Sequence, residues 1–326
     1  MDKTEKEKEW IRLMSGEKTT QKKPVTPATQ PQQGKPSDKR ARKGSGFDDV
    51  AGMDELKTFV TEGFINVLQN RRCAEAYGIK PPSMLFYGPT GCGKTFFAEK
   101  MAEEVGIHFM KVVPDDIAST MVHGTQENIG EVFRNAEYSA PTLLFFDEFD
   151  AMVPKRSGEE ALRHYDGEVN EFLCMLNNAS ERGVYVVAAT NHPELIDKAV
   201  LRTGRIDEVI FIDMPDKEAR NSLFSLALSK LPSEENIDTY RLAELTDGYN
   251  CSDIDYIVKT AARKMFNATI KGDSDDYIRI SQTLLEETIA AKCPSVSKKD
   301  MREYERVRSL FSSRNTGGTH AVIGFR

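Results

Sequence analysis

Eight consecutive residues of this sequence have the types and spacing that hold phosphate groups. Residues 88–95 read Gly-Pro-Thr-Gly-Cys-Gly-Lys-Thr and match the pattern G-x-x-x-x-G-K-[ST]. Glycines at these places allow the backbone to curl, so that successive N–H groups point inward at phosphate oxygens. Lys94 can reach the β- and γ-phosphates of a nucleotide, and the Thr95 hydroxyl can ligate Mg²⁺. The residues predicted to bind the nucleotide here are Pro89, Thr90, Gly91, Cys92, Gly93, Lys94, Thr95 and Phe96.

The segments on either side of this loop have the secondary structure that the motif requires. The apolar run 84–87 comes first and predicts a buried strand, and residues 96–104 follow with the composition of a helix. The N-terminus of that helix adds the positive end of its dipole at the phosphates. An inert glycine-rich turn would not need this succession of strand, turn and helix. Because Cys92 lies inside the loop, bound nucleotide is expected to protect its thiol from alkylation.

Two adjacent carboxylates follow another apolar run. Residues 143–146 are Leu-Leu-Phe-Phe, and Asp147 and Glu148 come directly after them. In P-loop enzymes, a strand next to the P-loop strand delivers an Asp to the Mg²⁺ shell, so Asp147 is predicted to share the metal with Thr95. Glu148 would then face the γ-phosphate and act as the base on the attacking water. A surface loop is the alternative, but paired carboxylates at the end of a buried strand are costly unless a cation meets them.

An amide follows a third apolar run. Asn191 comes after residues 184–190, Val-Tyr-Val-Val-Ala-Ala-Thr, at the carboxyl end of the predicted strand. Such an amide can orient the attacking water or contact the γ-phosphate. Asn-His-Pro at 191–193 also fits an ordinary turn.

Strands and helices alternate through the middle of the chain. The runs 143–146 and 184–190 are apolar throughout, which suits central parallel strands covered on both faces. Alternating strands and helices predict a doubly wound parallel sheet, with the ligand beyond the carboxyl ends of the strands. Residues 53–77 predict a helix with Asp54 as its N-cap. After Pro215 only helical patterns follow, so the predicted fold class is α/β with a small all-helical lid subdomain after the sheet.

Composition divides the chain into four predicted segments. Residues 1–46 form a disordered basic leader, in which the cluster around Trp10 is either a short docking helix or a frayed tail. The α/β nucleotide-binding subdomain covers 47–214 and the helical lid 215–311. Residues 312–326 are predicted to be a flexible tail.

Charge and cysteine usage limit the class of protein. The net charge of −7 combines +6 in residues 1–46 with −13 in the remainder, and an acidic body argues against nucleic acid as a partner. No apolar run approaches the roughly 18 residues of a membrane span, and the start lacks the apolar stretch of a signal peptide. The five cysteines are isolated in sequence, which is typical of reduced thiols. These features predict a cytoplasmic protein.

The motifs together resemble the AAA family of P-loop ATPases over residues 47–311. The segments that carry the resemblance are Phe47–Gly52 (the family's N-terminal segment), Gly88–Thr95 (Walker A), Leu143–Glu148 (Walker B), Ala188–Asn191 (sensor 1), Ala199–Asp207 (second region of homology), Thr246–Ile254 (lid), and Pro294–Asp300 with Tyr304-Glu305 (C-terminal helix).

The resemblance implies roles for further residues. It places Asp49, Val50 and Ala51 near the adenine, with Cys251 and Ser252 of the lid on the same side. It makes Arg202 and Arg205 the two arginine fingers, which reach the site of a neighbouring subunit. The implied cofactors are ATP and Mg²⁺.

The resemblance also implies an assembly and an activity. Family members form rings, usually hexamers, in which each ATP site lies at a subunit boundary. The implied function is Mg²⁺-dependent ATP hydrolysis that remodels or disassembles a protein substrate or complex, with a protein substrate or adaptor as partner. Membrane-scission disassembly, microtubule-severing and segregase-type members are the ones that it resembles.

The sequence departs from the family in two places. The pore loop that grips substrate corresponds to Met121, Val122 and His123, and Val122 stands where the family has an aromatic residue. A valine offers less contact area than an aromatic ring. In the lid, Cys251 stands where the family favours glycine and adds bulk near the adenine.

Two other functions remain compatible with the sequence. One is an ATP-gated switch or scaffold with slow turnover, which the complete catalytic set argues against. The other is a DNA-directed motor, which the acidic body argues against.

Overall fold

A computed structural model of the chain describes residues 44–118, 124–155, 162–202, 204–271 and 278–314, all of which lie within one compact unit, Asp38–Arg326. The strands are β1 Met84–Tyr87, β2 His108–Val112, β3 Thr142–Phe146, β4 Val184–Thr190 and β5 Glu208–Phe211. The helices are α1 Asp54–Val60, α2 Asn66–Gln69, α3 Arg71–Ala76, α4 Lys94–Val105, α5 Pro114–Ile117, α6 Gly124–Tyr138, α7 Phe149–Met152, α8 Leu162–Leu176, α9 Lys217–Leu228, α10 Thr239–Leu245, α11 Cys251–Lys271, α12 Gln282–Ala290 and α13 Lys298–Arg314.

The five strands form one parallel sheet in the order β2-β3-β4-β1-β5. This confirms the predicted doubly wound α/β fold. One detail of the prediction is wrong, because β4 lies between the P-loop strand β1 and the strand β3 that ends before Asp147. Thr95 still reaches Asp147, since it stands in the first turn of α4, and α4 packs across β4, β3 and β2.

The sheet is buried on both faces. Leu143 and Phe145 point into one apolar cluster, which also contains residues of α1 and α4. Leu144 and Phe146 point into a second cluster, which contains residues of α6 and α8. This explains why residues 143–146 of β3 are all apolar instead of alternating, since both sets of side chains are removed from water.

The helix predicted for residues 53–77 is interrupted. A π-helical turn, Thr61–Ile65, separates α1 from α2, and α3 follows as a separate helix. Asp54 is not the N-cap, because Met53 holds that position in a left-handed conformation with φ of 57°.

Helices α9–α13 follow the sheet, and α9–α12 share an apolar core of their own, in which Phe224, Leu242 and Ile257 are fully buried. Among the described residues after β5, β pairing is limited to an isolated bridge between Ser233 and Ile280. The domain boundaries at 214/215 and 311/312 stay predictions. No helix in the described part of the chain has both the length and the hydropathy to cross a membrane.

Candidate nucleotide-binding and catalytic site

The P-loop follows β1 at the carboxyl edge of the sheet, and its backbone requires glycine. Gly88 has a φ of 146°, and a Cβ there would lie 2.0 Å from the Ile212 carbonyl oxygen. Gly91 has a φ of 74°, and a Cβ would lie 2.5 Å from the side-chain nitrogen of Asn250. A larger residue at either position would therefore be strained and would displace neighbouring groups.

Lys94 lies inside this loop. It is 8% exposed, and its Nζ donates to the carbonyl oxygens of Gly88, at 2.9 Å, and Pro89, at 2.8 Å. Burial lowers the pKa of Lys94 to about 8, because the charged form loses its hydration. A buried ammonium group at a glycine-rich loop is suited to pair with a phosphate.

Thr95 and Asp147 meet across 52 residues of sequence. The Thr95 hydroxyl donates to Asp147 Oδ2 at 3.1 Å, and the Glu148 backbone N–H donates to Asp147 Oδ1 at 3.1 Å. Lys111 of β2 also contacts Asp147, with its Nζ 2.8 Å from Oδ2. Mg²⁺ prefers hard oxygen ligands. The adjacent Thr95 hydroxyl and Asp147 carboxylate are ligands of this kind, so these residues fit the predicted metal.

Glu148 is exposed and has a left-handed backbone, with φ of 51°. A residue with a side chain pays about 1–2 kcal/mol for this conformation. Such strain is common at functional sites. Here it occurs at the residue predicted to be the catalytic base.

Asn191 follows β4, and its side-chain oxygen has no hydrogen-bond partner within the described part of the chain although it is buried. An unsatisfied buried acceptor costs about 1–3 kcal/mol. A polar group of this kind in a native protein needs an explanation, and a catalytic role is one that fits the end of a strand beside the P-loop strand. The observation favours the functional interpretation of Asn191 over the ordinary turn.

Arg202 and Arg205 lie in a turn at the amino ends of the strands, opposite the edge that carries the P-loop. Arg202 is exposed, and Arg205 donates to the Ala199 carbonyl oxygen at 2.7 Å. The turn ends at Asp207, whose backbone N–H donates at 2.9 Å to Ser83, the residue before β1. The P-loop comes after β1, whose four residues span about 13 Å at roughly 3.3 Å each. The turn is thus separated from its own P-loop by the length of a strand.

The predicted adenine side is a cleft of about 400 Å³. Val50 and Ala51 line it from the N-terminal segment, and Ala219 and Ser222 line it from α9. Asp49 does not line this cleft. Its carboxylate pairs with Lys230 at 2.7 Å and with Lys100 at 3.1 Å, and it accepts a hydrogen bond from Ser45. The hydrogen bond from Lys230, with those from Ser45 and Lys100, holds the pKa of Asp49 far below its usual range.

The lid contacts the P-loop directly. The Ser252 backbone N–H donates to the Gly91 carbonyl oxygen at 3.1 Å, and the Asn250 side chain donates to the Thr90 carbonyl oxygen at 3.0 Å. Asn250 also caps α11, since its Oδ1 accepts from the Asp253 N–H at 2.8 Å. Cys251 lies between these two residues and packs against the apolar cluster around α4. Asn250 and Lys111 are site residues that the sequence prediction did not select.

The structure contradicts the expectation that nucleotide would protect Cys92 from alkylation. The Cys92 side chain is fully buried without any ligand, and its Sγ lies 3.5 Å from the sulfur of Met214. Burial also raises the pKa of the thiol well above its usual range. The thiol is therefore expected to be unreactive in either state. The predicted substrate contacts Met121, Val122 and His123 lie outside the described residues.

Comparison with known proteins agrees with this geometry. The model of the AAA family, described as ATPases associated with various cellular activities, matches residues 84–214. The chain is also 32% identical over 271 residues to a cell division cycle protein 48 homolog of Archaeoglobus fulgidus. The chain belongs to the AAA family. The aligned part is 80% of this AAA chain but only 37% of that relative. Because 271 residues exceed the segment 84–214, the similarity extends beyond the sheet.

Proposed function

We propose that this AAA chain hydrolyses ATP with Mg²⁺ in a hexameric ring and uses the cycle to remodel or disassemble a protein substrate. The contact between Thr95 Oγ1 and Asp147 Oδ2 is the observation that carries the proposal. This contact joins the P-loop to the Asp147-Glu148 pair at the carboxyl ends of the strands, where parallel sheets bind their ligands. The archaeal relative supports a coarse assignment to ATP-driven protein remodelling.

Each residue of the site then has a defined task. The loop N–H groups and Lys94 bind the phosphates, and Thr95 with Asp147 would hold Mg²⁺. The metal, when bound, neutralises charge on the phosphate oxygens. Glu148 accepts the proton of the attacking water, and Asn191 Oδ1 orients that water.

The position of the arginine turn supports a ring. Arg202 and Arg205 lie one strand length from the P-loop of their own chain, so they act in the site of the next subunit. A guanidinium keeps its charge and can bridge two phosphate oxygens. Such an arginine finger contributes about 10³–10⁵ in rate in related enzymes, or roughly 4–7 kcal/mol of barrier.

Lys94→Met tests the phosphate site, and it is expected to abolish ATP binding without stabilising the nucleotide-free protein. The fall in pKa from 10.5 to about 8 corresponds to a cost of roughly 3 kcal/mol for keeping the charge buried. The two hydrogen bonds from the charged amine to the carbonyl oxygens contribute about 1.5–3 kcal/mol each, so their loss cancels or exceeds the relief of that cost. Urea denaturation measures the change in stability, and calorimetric titration with ATP measures the loss of binding.

The pH dependence and a control variant give this test a second readout. In the wild type, the free-energy cost of burying the Lys94 charge is fully present below pH 8, where the folded chain keeps the proton. Between pH 8 and 10.5 only the unfolded chain keeps that proton, so the folded protein becomes more stable as the pH rises. The Lys94→Met variant should lack this rise. Lys57→Met removes a lysine that is paired with Asp54 at 3.3 Å and should bind ATP normally without gaining stability. A Lys94→Met protein whose stability still rises between pH 8 and 10.5 would contradict the buried-charge argument.

Asn191→Ala is expected to lower turnover about 10- to 100-fold and to change the free energy of unfolding by less than about 1 kcal/mol. The buried oxygen has no partner to lose, and its desolvation cost offsets the small cavity. Steady-state hydrolysis and urea denaturation measure the two effects.

Thr142→Val is the matched control for this variant. Its hydroxyl is the other described buried side-chain oxygen without a partner, and it lies at the amino end of β3, away from the site. This variant should gain about 1 kcal/mol and hydrolyse ATP at the wild-type rate. Equal turnover in both variants would remove Asn191 from the catalytic set.

A further inference from the structure

Lys111 places a positive charge on the carboxylate that is assigned to Mg²⁺. Its Nζ lies 2.8 Å from Asp147 Oδ2, the same oxygen that accepts from Thr95. The other oxygen of Asp147 accepts from the Glu148 backbone N–H. Both carboxylate oxygens of Asp147 thus have partners within the chain.

The backbone positions Lys111 for this contact. Lys111 pairs in register with Phe145 on β3, two residues before Asp147. Phe109, which lies two residues earlier on β2, packs on the Phe145 ring on the α4 face of the sheet. Because side chains alternate along a strand, Lys111 shares that face with Phe109. This is the face on which α4 presents Thr95.

Stability does not explain a lysine at this place. The Lys111 side chain is 43% exposed, and ion pairs with that much solvent contribute little to folding. The side chain can also leave Asp147 without moving the backbone, since 43% of its surface is open to solvent.

We propose that Lys111 is a positioning residue that holds Asp147 before nucleotide binds and opposes metal binding there, so that it sets the Mg²⁺ concentration that nucleotide binding requires. This inference rests on the proposed function, since it takes Asp147 as a ligand of Mg²⁺. Free Mg²⁺ brings two further positive charges to a lysine, whereas Mg²⁺ with ATP brings a net negative charge. Lys111 therefore opposes the free metal at Asp147 more strongly than metal that arrives with the nucleotide.

The test is the Mg²⁺ dependence of nucleotide binding in Lys111→Met. A fluorescent ATP analogue is titrated with MgCl₂ at constant ionic strength in the Glu148→Gln background, so that turnover does not interfere. Removing the charge is expected to lower the midpoint Mg²⁺ concentration about 3- to 30-fold. Mn²⁺ without nucleotide, followed by electron paramagnetic resonance, should also bind more tightly to the variant.

Two controls separate this role from a structural one. Lys111→Arg keeps the charge and should keep the wild-type midpoint. Lys80→Met breaks a 2.7 Å ion pair with Glu181 away from the Mg²⁺ site, and should leave the midpoint unchanged. The midpoint temperature of thermal unfolding should be the same in all three variants.

The outcomes are distinguishable. A midpoint in Lys111→Met that is unchanged or raised overturns the inference and leaves the proposed function intact. Nucleotide binding that shows no Mg²⁺ dependence in the parent protein overturns the proposed function, and the inference with it.

Discussion

Replacing Glu148 with Gln is expected to lower ATP turnover about 10²–10⁴-fold while ATP affinity stays near the wild-type value. Glu148 follows the proposed Mg²⁺ ligand Asp147 directly, and its side chain is exposed at the carboxyl edge of the sheet. The amide keeps the shape of the side chain but cannot accept the proton of the attacking water. A coupled assay of phosphate release measures turnover, and calorimetry measures binding.

Two control variants sharpen this prediction. Glu131→Gln makes the same change at an exposed position on α6 and should leave turnover unchanged. Glu148→Gly should also lose turnover but unfold at a higher temperature, because glycine relieves the left-handed backbone at φ of 51°. Turnover of Glu148→Gln within threefold of the wild type would remove Glu148 as the base.

The stalled protein is also the reagent that tests remodelling. With ATP bound and hydrolysis blocked, a remodelling enzyme retains its substrate. Affinity capture with Glu148→Gln in ATP, compared with Lys94→Met, should therefore enrich a protein that the second variant does not hold. Identical capture by both variants would contradict ATP-dependent engagement of a substrate.

Local sequence was sufficient for most of the fold. The runs at 84–87, 143–146 and 184–189 lack charged and strongly polar residues, and all three lie in strands buried on both faces. The P-loop was equally predictable, because its glycines meet a backbone need that other residues cannot. At Gly88 a side chain would collide with the Ile212 carbonyl group.

Strand order was not predictable, because the sequence does not state which strands pair. The prediction put the Asp147 strand beside the P-loop strand, but β4 separates them. The contact between Thr95 and Asp147 survives because α4 crosses the sheet from the loop. The motifs therefore identified two residues that do meet, although the predicted pairing of their strands was wrong.

Asn250 and Lys111 were missed for a related reason. Each acts across a long separation in sequence. Asn250 donates to the Thr90 carbonyl group, 160 residues away, and Lys111 contacts Asp147, which follows the neighbouring strand β3. A single lysine within an apolar strand was the available signal for Lys111. It gained meaning only when the register of β2 and β3 placed it beside Asp147.

Arg205→Ala is expected to bind ATP normally and to lose turnover about 10³–10⁵-fold, and the loss should be repaired by a second inactive protein. Arg205 lies at the amino edge of the sheet, while Lys94 and Asp147 lie at the carboxyl edge. The proposed ring therefore requires its guanidinium to act in the site of the neighbouring subunit. Coupled phosphate release measures turnover, and size-exclusion chromatography with light scattering shows whether the ring still forms.

Mixing Arg205→Ala with Glu148→Gln decides whether the arginine acts between subunits. The Arg205→Ala protein keeps the catalytic base Glu148 but lacks the arginine finger. The Glu148→Gln protein keeps the arginine finger but lacks the catalytic base. In an equal random mixture about a quarter of the boundaries in a closed ring join an intact site to an intact finger, so turnover should rise from near zero toward that fraction. Mixing Glu148→Gln with Lys94→Met creates no such boundary and should stay inactive. Mixed rings of Arg205→Ala and Glu148→Gln that remain as inactive as their components would show that Arg205 acts within its own chain.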